Sequence, residues 1–331
     1  MERSSRALIT TAVCVTLLSA AAVKIEAAPI IFGGLGGQKG ISTNNGALVT
    51  INPLNGSVTV IGTPSGVNAI SGLTFDSNGD LFGSTQIGGG NPPTMTTPPP
   101  ITTSDLIEID PLTGALISST LIETSDGTPV SIADLATQPG TNTIFAIQSP
   151  NDANFNGQAN LYTISKTGVA TLVGATGVFF GAIAFAPNGT LYLTSADLAG
   201  SGVPTVFSCP SAAPDDINCA LSTLNPATAA TITSVGTADF YSALGVSPGG
   251  VIWAANGAGD LGPGTGQFFA GVSTLNPSTG AATFIGNTGT DFVGDIAFQS
   301  TPEPVSLVLI GSGLALLGAR YRRARKLHSG D

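Results

Sequence analysis

The stretch from residue 29 to residue 300 contains no arginine and no histidine, and Lys39 and Lys166 are its only basic residues. Nucleic-acid binding needs many Lys and Arg side chains that displace counterions from phosphates, so this composition excludes it. The absence of histidine excludes Ser-His-Asp catalysis and the usual zinc sites. Without arginine there are no bidentate phosphate clamps. This composition does not exclude enzymes that use carboxylates alone or calcium.

The same stretch is strongly acidic, with sixteen Asp and Glu residues against the two lysines and a net charge of −14. Disorder requires low hydrophobicity together with high net charge. The apolar fraction of the whole chain is 42%, and Gly, Thr, Ser, Asn and Pro are abundant. A folded, strand-rich domain is therefore predicted.

The N-terminus has the pattern of a secretory signal. Arg3 and Arg6 precede an apolar run over residues 7–23, and small residues follow. We predict a signal peptide over residues 1–28, with cleavage sites at 20–22 and at 27–28 both open. Cys14 lies inside the apolar run and is interpreted as an apolar residue of the signal.

The C-terminus pairs an apolar run over residues 305–319 with five basic residues in 320–326. A membrane-spanning helix needs roughly 17–25 residues, so this run is at the short limit. The basic end would stay cytoplasmic under the positive-inside rule, which places the main domain outside. The alternative is a buried C-terminal helix of the globular domain, against which the dense basic cluster argues.

Pro302, Glu303 and Pro304 stand directly before this apolar run. The order of tripeptide, apolar segment and basic end over residues 301–326 resembles the PEP-CTERM sorting signal of exported bacterial surface proteins. The resemblance implies recognition by an exosortase-type enzyme and cleavage near the three residues, which would be substrate and not catalytic. It implies a membrane-anchored precursor, transiently in the cytoplasmic membrane, and then a place on the cell surface or in the extracellular matrix of a Gram-negative-type bacterium.

Cys209 and Cys219 are the only cysteines between residues 29 and 300. In an exported protein such a pair indicates one local disulfide. A loop this short would contribute about 2–3 kcal/mol in the loop-entropy model. The alternative is two free thiols.

One pattern recurs five times along the main domain: alternating apolar and polar residues, then a tight turn, then a second alternating run. Period-two alternation is typical of a half-buried strand, and Pro and Gly set the turn, so each unit is predicted to be a hairpin. The first strand and turn of the five units cover residues 48–56, 106–114, 161–168, 221–229 and 272–280.

A second hairpin lies between these units, and its turns contain glycine. Together the two hairpins give four strands per repeat at a spacing of roughly fifty to sixty residues, which is typical of propeller blades. The pattern resembles NHL- and YVTN-type β-propeller repeats. The first strands of the second hairpins cover residues 72–75, 134–137, 182–185, 243–246 and 295–298.

The fifth repeat lacks its second strand. Residues 29–34 resemble the second strand at 80–83, and we predict that they insert between residues 295–299 and 47–52. The two ends of the domain would then close the ring in one blade and remove exposed edges. The predicted fold is an all-β, five-bladed β-propeller closed by an N-terminal strand, over residues 29–300.

The links between the second and third strands of each repeat are long, whereas turns within hairpins are short. Function tends to reside on long loops carried by a rigid scaffold, so the face with these links is the predicted binding face. The alternative is that the links are only tolerated, solvent-facing insertions. They cover residues 34–46, 86–104, 149–159, 196–218 and 256–270.

Four aspartates occupy matching positions in different repeats: Asp134 is equivalent to Asp295, and Asp239 is equivalent to Asp291. Asp134 and Asp295 are expected near the channel mouth. Carboxylates of this kind suit calcium, which is the one cofactor the sequence suggests, although no Asp-x-Asp-x-Asp loop accompanies them. The alternative is that they are turn-capping or solvated aspartates.

These observations predict an exported surface or matrix protein whose non-enzymatic propeller binds polysaccharide, such as an exopolysaccharide, or another protein. The alternative is a carboxylate- or calcium-dependent propeller enzyme resembling a glycosidase, which would also need ring-orienting polar and aromatic groups. A purely structural spacer is the third hypothesis.

Overall fold

The computed structural model describes residues 29–36, 45–85, 103–150, 152, 154, 156–196, 219–239, 241–255, 270–290 and 293–299. Within these residues the chain forms twenty-one β-strands and no helix. The strands group into five sheets, four of them with four strands and one with five. The predicted all-β, five-bladed propeller is confirmed.

Each sheet is one blade, in which antiparallel strands follow one another from the central channel outward. Blade 1 consists of β21 (Val293–Gln299), β1 (Ile30–Leu35), β2 (Leu48–Ile51) and β3 (Val58–Gly62); blade 2 of β4 (Ile70–Phe75), β5 (Leu81–Thr85), β6 (Asp105–Ile109) and β7 (Leu116–Leu121). Blade 3 consists of β9 (Ile132–Thr137), β10 (Ile144–Gln148), β11 (Asn160–Ile164) and β12 (Val169–Ala175), with β8 (Glu123–Thr124) added outside β12. Blade 4 consists of β13 (Phe180–Phe185), β14 (Leu191–Ala196), β15 (Cys219–Leu224) and β16 (Thr231–Gly236); blade 5 of β17 (Ala243–Val246), β18 (Ile252–Ala255), β19 (Gly271–Leu275) and β20 (Ala282–Asn287).

Ring closure in blade 1 follows the prediction. Strand β1 lies between β21 and β2, with Phe32 opposite Ala297 on one side and Thr50 on the other. The first and last strands of the domain are thus hydrogen-bonded neighbours, and neither presents an edge along this contact.

The core is divided among the five interfaces between neighbouring blades. Alternate side chains of one strand serve two interfaces: Leu48 packs toward blade 2 against Ile107, whereas Val49 packs toward blade 5 against Val272. Inner strands are buried on both faces, as in β4, while β7 at the perimeter is mostly exposed. This two-sided burial explains why inner strands carry small and apolar residues on both faces.

The recurring Asn/Asp-Pro-x-x-Gly sequence forms the outer turns. In the turn after β2, the Asn52 Oδ1 accepts a hydrogen bond from the Leu54 amide at 2.9 Å, and Gly56 adopts a positive φ of 73°. An Asn or Asp side chain bound to the amide two residues on mimics a backbone turn, and glycine is the residue that tolerates positive φ. Blade 4 instead carries Ala229 at this position, with a φ of 62°.

The glycine that ends an outer strand packs on the outer turn of a neighbouring blade. A Cβ at Gly286 would lie 1.9 Å from the carbonyl oxygen of Asn55, so blades 5 and 1 meet backbone to backbone at the closure. Gly236, the last residue of β16 in blade 4, lies one position further along its strand and has ample room, because the nearest atom to a Cβ there would be the Cys219 carbonyl oxygen at 4.0 Å.

We expect Gly286→Ala to lower the free energy of unfolding by about 1–3 kcal/mol, since the new methyl group must push two blades apart. Gly236→Ala is the matched control, and it should be neutral or stabilising by about 0.4–1 kcal/mol because it restricts the unfolded chain. Urea denaturation of both variants measures the difference. Equal stabilities would contradict the close backbone contact.

Strand β8 was not predicted from the sequence. It lies in the link between blades 2 and 3, and it pairs in parallel with the start of β12 over only two residues. It carries no repeat pattern, because its partner is a strand of the next blade and not its own hairpin. Its effect is to cover the outer edge of blade 3.

Candidate functional site: the carboxyl pair in the channel

Five equivalent positions, one per blade, face the channel in the middle of the inner strands. Asp134 and Asp295 occupy two of them, and both side chains are fully buried. Each position is followed by a buried leucine or isoleucine, so an aliphatic ring lies beside the two carboxyls. The other three positions are held by small residues, namely Gly72, Ala182 and Ala243.

The Asp295 carboxyl binds backbone amides from more than one blade. Its Oδ2 accepts from the Leu73 amide of blade 2 at 2.5 Å, and its Oδ1 accepts from the Ile296 amide at 2.6 Å. The Leu244 amide of blade 5 also donates to this carboxyl. Since the inward edge of an inner strand has no further strand beside it, these amides need an acceptor inside the channel.

Asp134 repeats this arrangement two blades away from Asp295, in blade 3. Its Oδ1 accepts from the Leu135 amide at 2.7 Å and its Oδ2 from the Ile183 amide of blade 4 at 2.6 Å. One amide from each of the five blades therefore points at the two carboxyls. The sequence prediction that Asp134 and Asp295 are equivalent is confirmed, but they lie inside the wall of the channel instead of near its mouth.

The two carboxyls lie close enough in the buried wall of the channel for each to shift the pKa of the other. Burial, the charge of Asp295 and the hydrogen bond to Asp295 together raise the pKa of Asp134 well above its usual value. Burial also raises the pKa of Asp295 to about 8, although the hydrogen bond with Asp134 and the backbone amides act in the opposite direction. Two carboxyls this close cannot both ionise without a large cost, as in other carboxyl dyads.

Gly72 allows blades 2 and 3 to approach beside the pair. A Cβ at this position would lie 2.6 Å from the Leu135 amide nitrogen and 2.7 Å from Ser84 Oγ. Any side chain on Gly72 would therefore displace the β9 backbone that holds Asp134.

The channel opens into a funnel of about 350 Å³ on the face where the inner hairpins turn. Its floor is the aliphatic ring, which separates the carboxyl pair from solvent at this end. The polar groups of its wall are bound within the protein: the Thr137 amide donates to Thr74 Oγ1 at 2.9 Å, and the Ser77 amide donates to Asn142 Oδ1 at 2.9 Å. We call this side the funnel face. The floor consists of Leu73, Leu135, Ile183, Leu244 and Ile296.

Lys166, the only basic residue among those the structure describes, joins blade 3 to blade 2 beside the funnel. Its Nζ lies 2.8 Å from Asp76 Oδ2, 3.5 Å from Asp80 Oδ2 and 4.7 Å above the Phe82 ring. Burial opposes ionisation of Asp76, but the hydrogen bonds from Lys166 and from backbone amides hold its pKa below the usual value. This lysine is therefore engaged within the domain.

The opposite side, which carries the second-to-third-strand links, is called the link face. A cleft of about 130 Å³ lies there in blade 2, lined by Asn68, Thr85, Asp105 and Ser119 among others. Asn68 is exposed, and Asp105 Oδ2 accepts from Ser119 Oγ at 2.6 Å. Amide and carboxylate groups of this kind recognise hydroxyl groups by hydrogen bonding.

Comparison with known proteins yields structural neighbours only. No protein-family model matches the sequence, and no curated protein does. A protein of unknown function from Bacteroides caccae has 12% identity over 83% of this chain and 100% of its own, with a TM-score of 0.45. A gluconolactonase from Xanthomonas campestris has 13% identity over 80% of this chain and 78% of its own, with a TM-score of 0.43.

A third neighbour is hydrazine synthase from Kuenenia stuttgartiensis, with 14% identity over 68% of this chain and a TM-score of 0.38. This chain spans half the length of that one. Similarities of this size carry no conclusion about activity, and the five-bladed architecture follows from the strand pairing of the chain itself.

The predicted calcium ligands are only partly brought together. Asp134 and Asp295 meet in the channel, Asp239 lies in the turn after β16, and Asp291 is outside the described residues. No group of three or more His, Cys, Asp or Glu residues that could hold a metal occurs in the described part of the chain. Calcium binding stays a prediction.

The remaining predicted sites fall wholly or partly outside the described residues. Cys219 begins β15 and is buried, but Cys209 is not described, so their disulfide stays a prediction. Pro302, Glu303 and Pro304 are not described either. No helix long and apolar enough to cross a membrane occurs in the ranges that the structure does describe.

Proposed function

We propose that this protein is exported and sorted through its C-terminal segment, and that its propeller binds polysaccharide or another protein instead of catalysing a reaction. Export rests on the sequence of the two ends. The binding role rests on one observation, which is that every oxygen of the channel carboxyl pair already accepts a backbone amide. Such a pair links the blades of the ring, and its full burial keeps it out of contact with a substrate.

The geometry of the pair also argues for binding over glycoside hydrolysis. Glycosidases hold their two carboxyl groups roughly 5–5.5 Å apart when they retain configuration and about 6.5–9.5 Å apart when they invert it, with a sugar between them. Asp134 and Asp295 are fully buried, and each shifts the pKa of the other. A sugar ring has no place between them.

The link face supports a carbohydrate or protein ligand. It carries the longest links of the domain, and its described part includes the polar cleft at Asn68 and Asp105. Carbohydrate recognition uses hydrogen bonds from such side chains to sugar hydroxyls. A domain with a net charge of −14 favours neutral or cationic partners over anionic ones.

A glycan array probed with the detergent-solubilised full chain tests this proposal. We expect retention of a neutral glycan without release of sugar, and weaker retention after Asn68→Ala or Asp105→Asn. Asn78→Ala is the matched control, because Asn78 is an exposed asparagine beyond the other end of β4, and it should bind normally. Release of reducing sugar that is lost in Asp134→Asn would overturn the binding role and favour the enzyme.

A further inference from the structure

Both ends of the domain leave the propeller on the funnel face. Ile30, at the start of β1, is paired with Gln299, the last residue of β21. The neighbouring Phe298 lines the funnel. The chain therefore enters and leaves at adjacent points of the same face, and each end continues toward an apolar run of the sequence.

The distance between this face and the C-terminal apolar run is limited by chain length. Only residues 300–304 separate Gln299 from the run that begins at Val305. Five residues span at most about 18 Å when fully extended, at 3.3–3.6 Å per residue. If the run lies in a membrane, the rim of the funnel cannot be further from the membrane surface than this.

The rim of the funnel suits a lipid surface better than the rest of this acidic domain. Its inner turns expose Pro139, Pro187 and Pro248 at their tips. The only charged side chains in the four inner turns, at residues 76–80, 138–142, 186–190 and 247–250, are Asp76 and Asp80, which both lie beside Lys166. The outer turn of blade 2 adds Asp110 on the same face, further from the funnel. Anionic head groups would repel unpaired carboxylates, so this nearly neutral rim is the side that can approach them.

We propose that the funnel face of the membrane-anchored precursor lies against the lipid surface, so that the link face points away from the membrane. This orientation rests on the proposed function, since it requires residues 305–319 to be the anchor. It also accounts for the placement of the long links, because a ligand in the surrounding matrix would meet them first.

Photocrosslinking to lipid tests the orientation on the full chain in liposomes of zwitterionic and anionic lipid. A benzophenone-bearing phenylalanine analogue replaces either Ser77 or Ser65, both exposed and located beyond opposite ends of β4. A strand of this length separates them by about 20 Å. We expect the lipid adduct, measured by mass spectrometry, to be several-fold more abundant at position 77.

Flotation of the same liposomes separates the two ways in which the test can fail. If the chain floats with the liposomes and the adduct is equal at both positions, or greater at position 65, the orientation is wrong while a membrane anchor at one of the two apolar ends stands. If the chain does not float, residues 305–319 are not an anchor, and this part of the proposed function falls together with the orientation.

Discussion

Deletion of residues 29–34 should abolish the cooperative native state or lower its melting temperature by more than 10 °C. Strand β1 lies between β21 and β2, so its loss leaves two unpaired inner edges and removes Ile31 and Phe32 from two separate cores. Full burial of a large apolar side chain contributes about 1.5–3 kcal/mol, and a domain is stable by only about 5–15 kcal/mol in total. Differential scanning calorimetry measures the change.

The matched control for this deletion is the same chain lacking residues 1–28 only. It keeps β1 and should melt like the full chain, because the described domain begins at residue 29. Gly33→Ala probes the closure more gently, since a Cβ there would lie 3.1 Å from Val49 Cγ2 and needs only a small shift of that side chain. An unchanged melting transition after the deletion would mean that β1 does not close the ring.

Stability should fall as the pH rises from about 4 to about 8. The folded protein keeps a proton on Asp295 up to a pKa of about 8, whereas the unfolded chain releases it near 3.8. Across this pH range the unfolded state binds fewer protons than the folded state. Each proton that the folded pair holds therefore lowers the free energy of unfolding by up to about 1.4 kcal/mol for each unit of pH increase. The stabilisation by the bound proton is fully present below the pKa of the unfolded chain, and it is lost once the pH exceeds the pKa of Asp295 in the folded protein. Urea denaturation at pH 5, 7 and 9 measures the slope.

Asp134→Asn should flatten this slope. The asparagine NH₂ group donates to Asp295 without a shared proton, so Asp295 can ionise at lower cost. One backbone amide loses its acceptor, which costs about 1–3 kcal/mol, and the variant should be the less stable protein at pH 5. The deficit should shrink by pH 9, where the wild-type pair has lost its advantage.

Asp110→Asn is the control for this pH dependence. Asp110 is held by the Leu112 amide and by Thr113, which lower its pKa, so it is ionised in both states throughout pH 5–9. Its substitution should leave the slope between pH 5 and pH 9 unchanged. A wild-type stability that does not fall over this range, or a slope equally steep in Asp134→Asn, would show that the pair holds no proton.

Local sequence predicted most of the strands because a half-buried strand and a tight turn are both local events. The turn at Asn52–Gly56 requires only an acceptor side chain and a residue that tolerates positive φ, and both are visible in the sequence. Closure was also predictable, since residues 29–34 repeat the pattern of a missing strand. Strand β8 was missed because its two residues carry no period and pair with another blade.

The site was only partly predictable. The repeat alignment placed Asp134 and Asp295 at equivalent positions, at the start of predicted strands, where a carboxylate usually indicates a solvated or ligand-binding group. Their partners lie far apart in the chain: Leu73 and Asp295 are 222 residues apart, and Ile183 and Asp134 are 49 apart. No local sequence pattern indicates that the amides of Leu73 and Ile183 will lie beside these two carboxyls.

Four properties can be derived from the amino-acid sequence alone: the five repeats, the strand that closes them, the acidity of the domain and the apolar runs at both ends. Each of these follows from period, composition or a short motif. The state of Asp134 and Asp295 depends on the folded ring, because their burial and hydrogen bonds require five strands that meet around one axis. At that axis, five backbone amides without strand partners donate hydrogen bonds to the two carboxyls. These hydrogen bonds stabilise the buried pair, and burial raises the pKa of both residues.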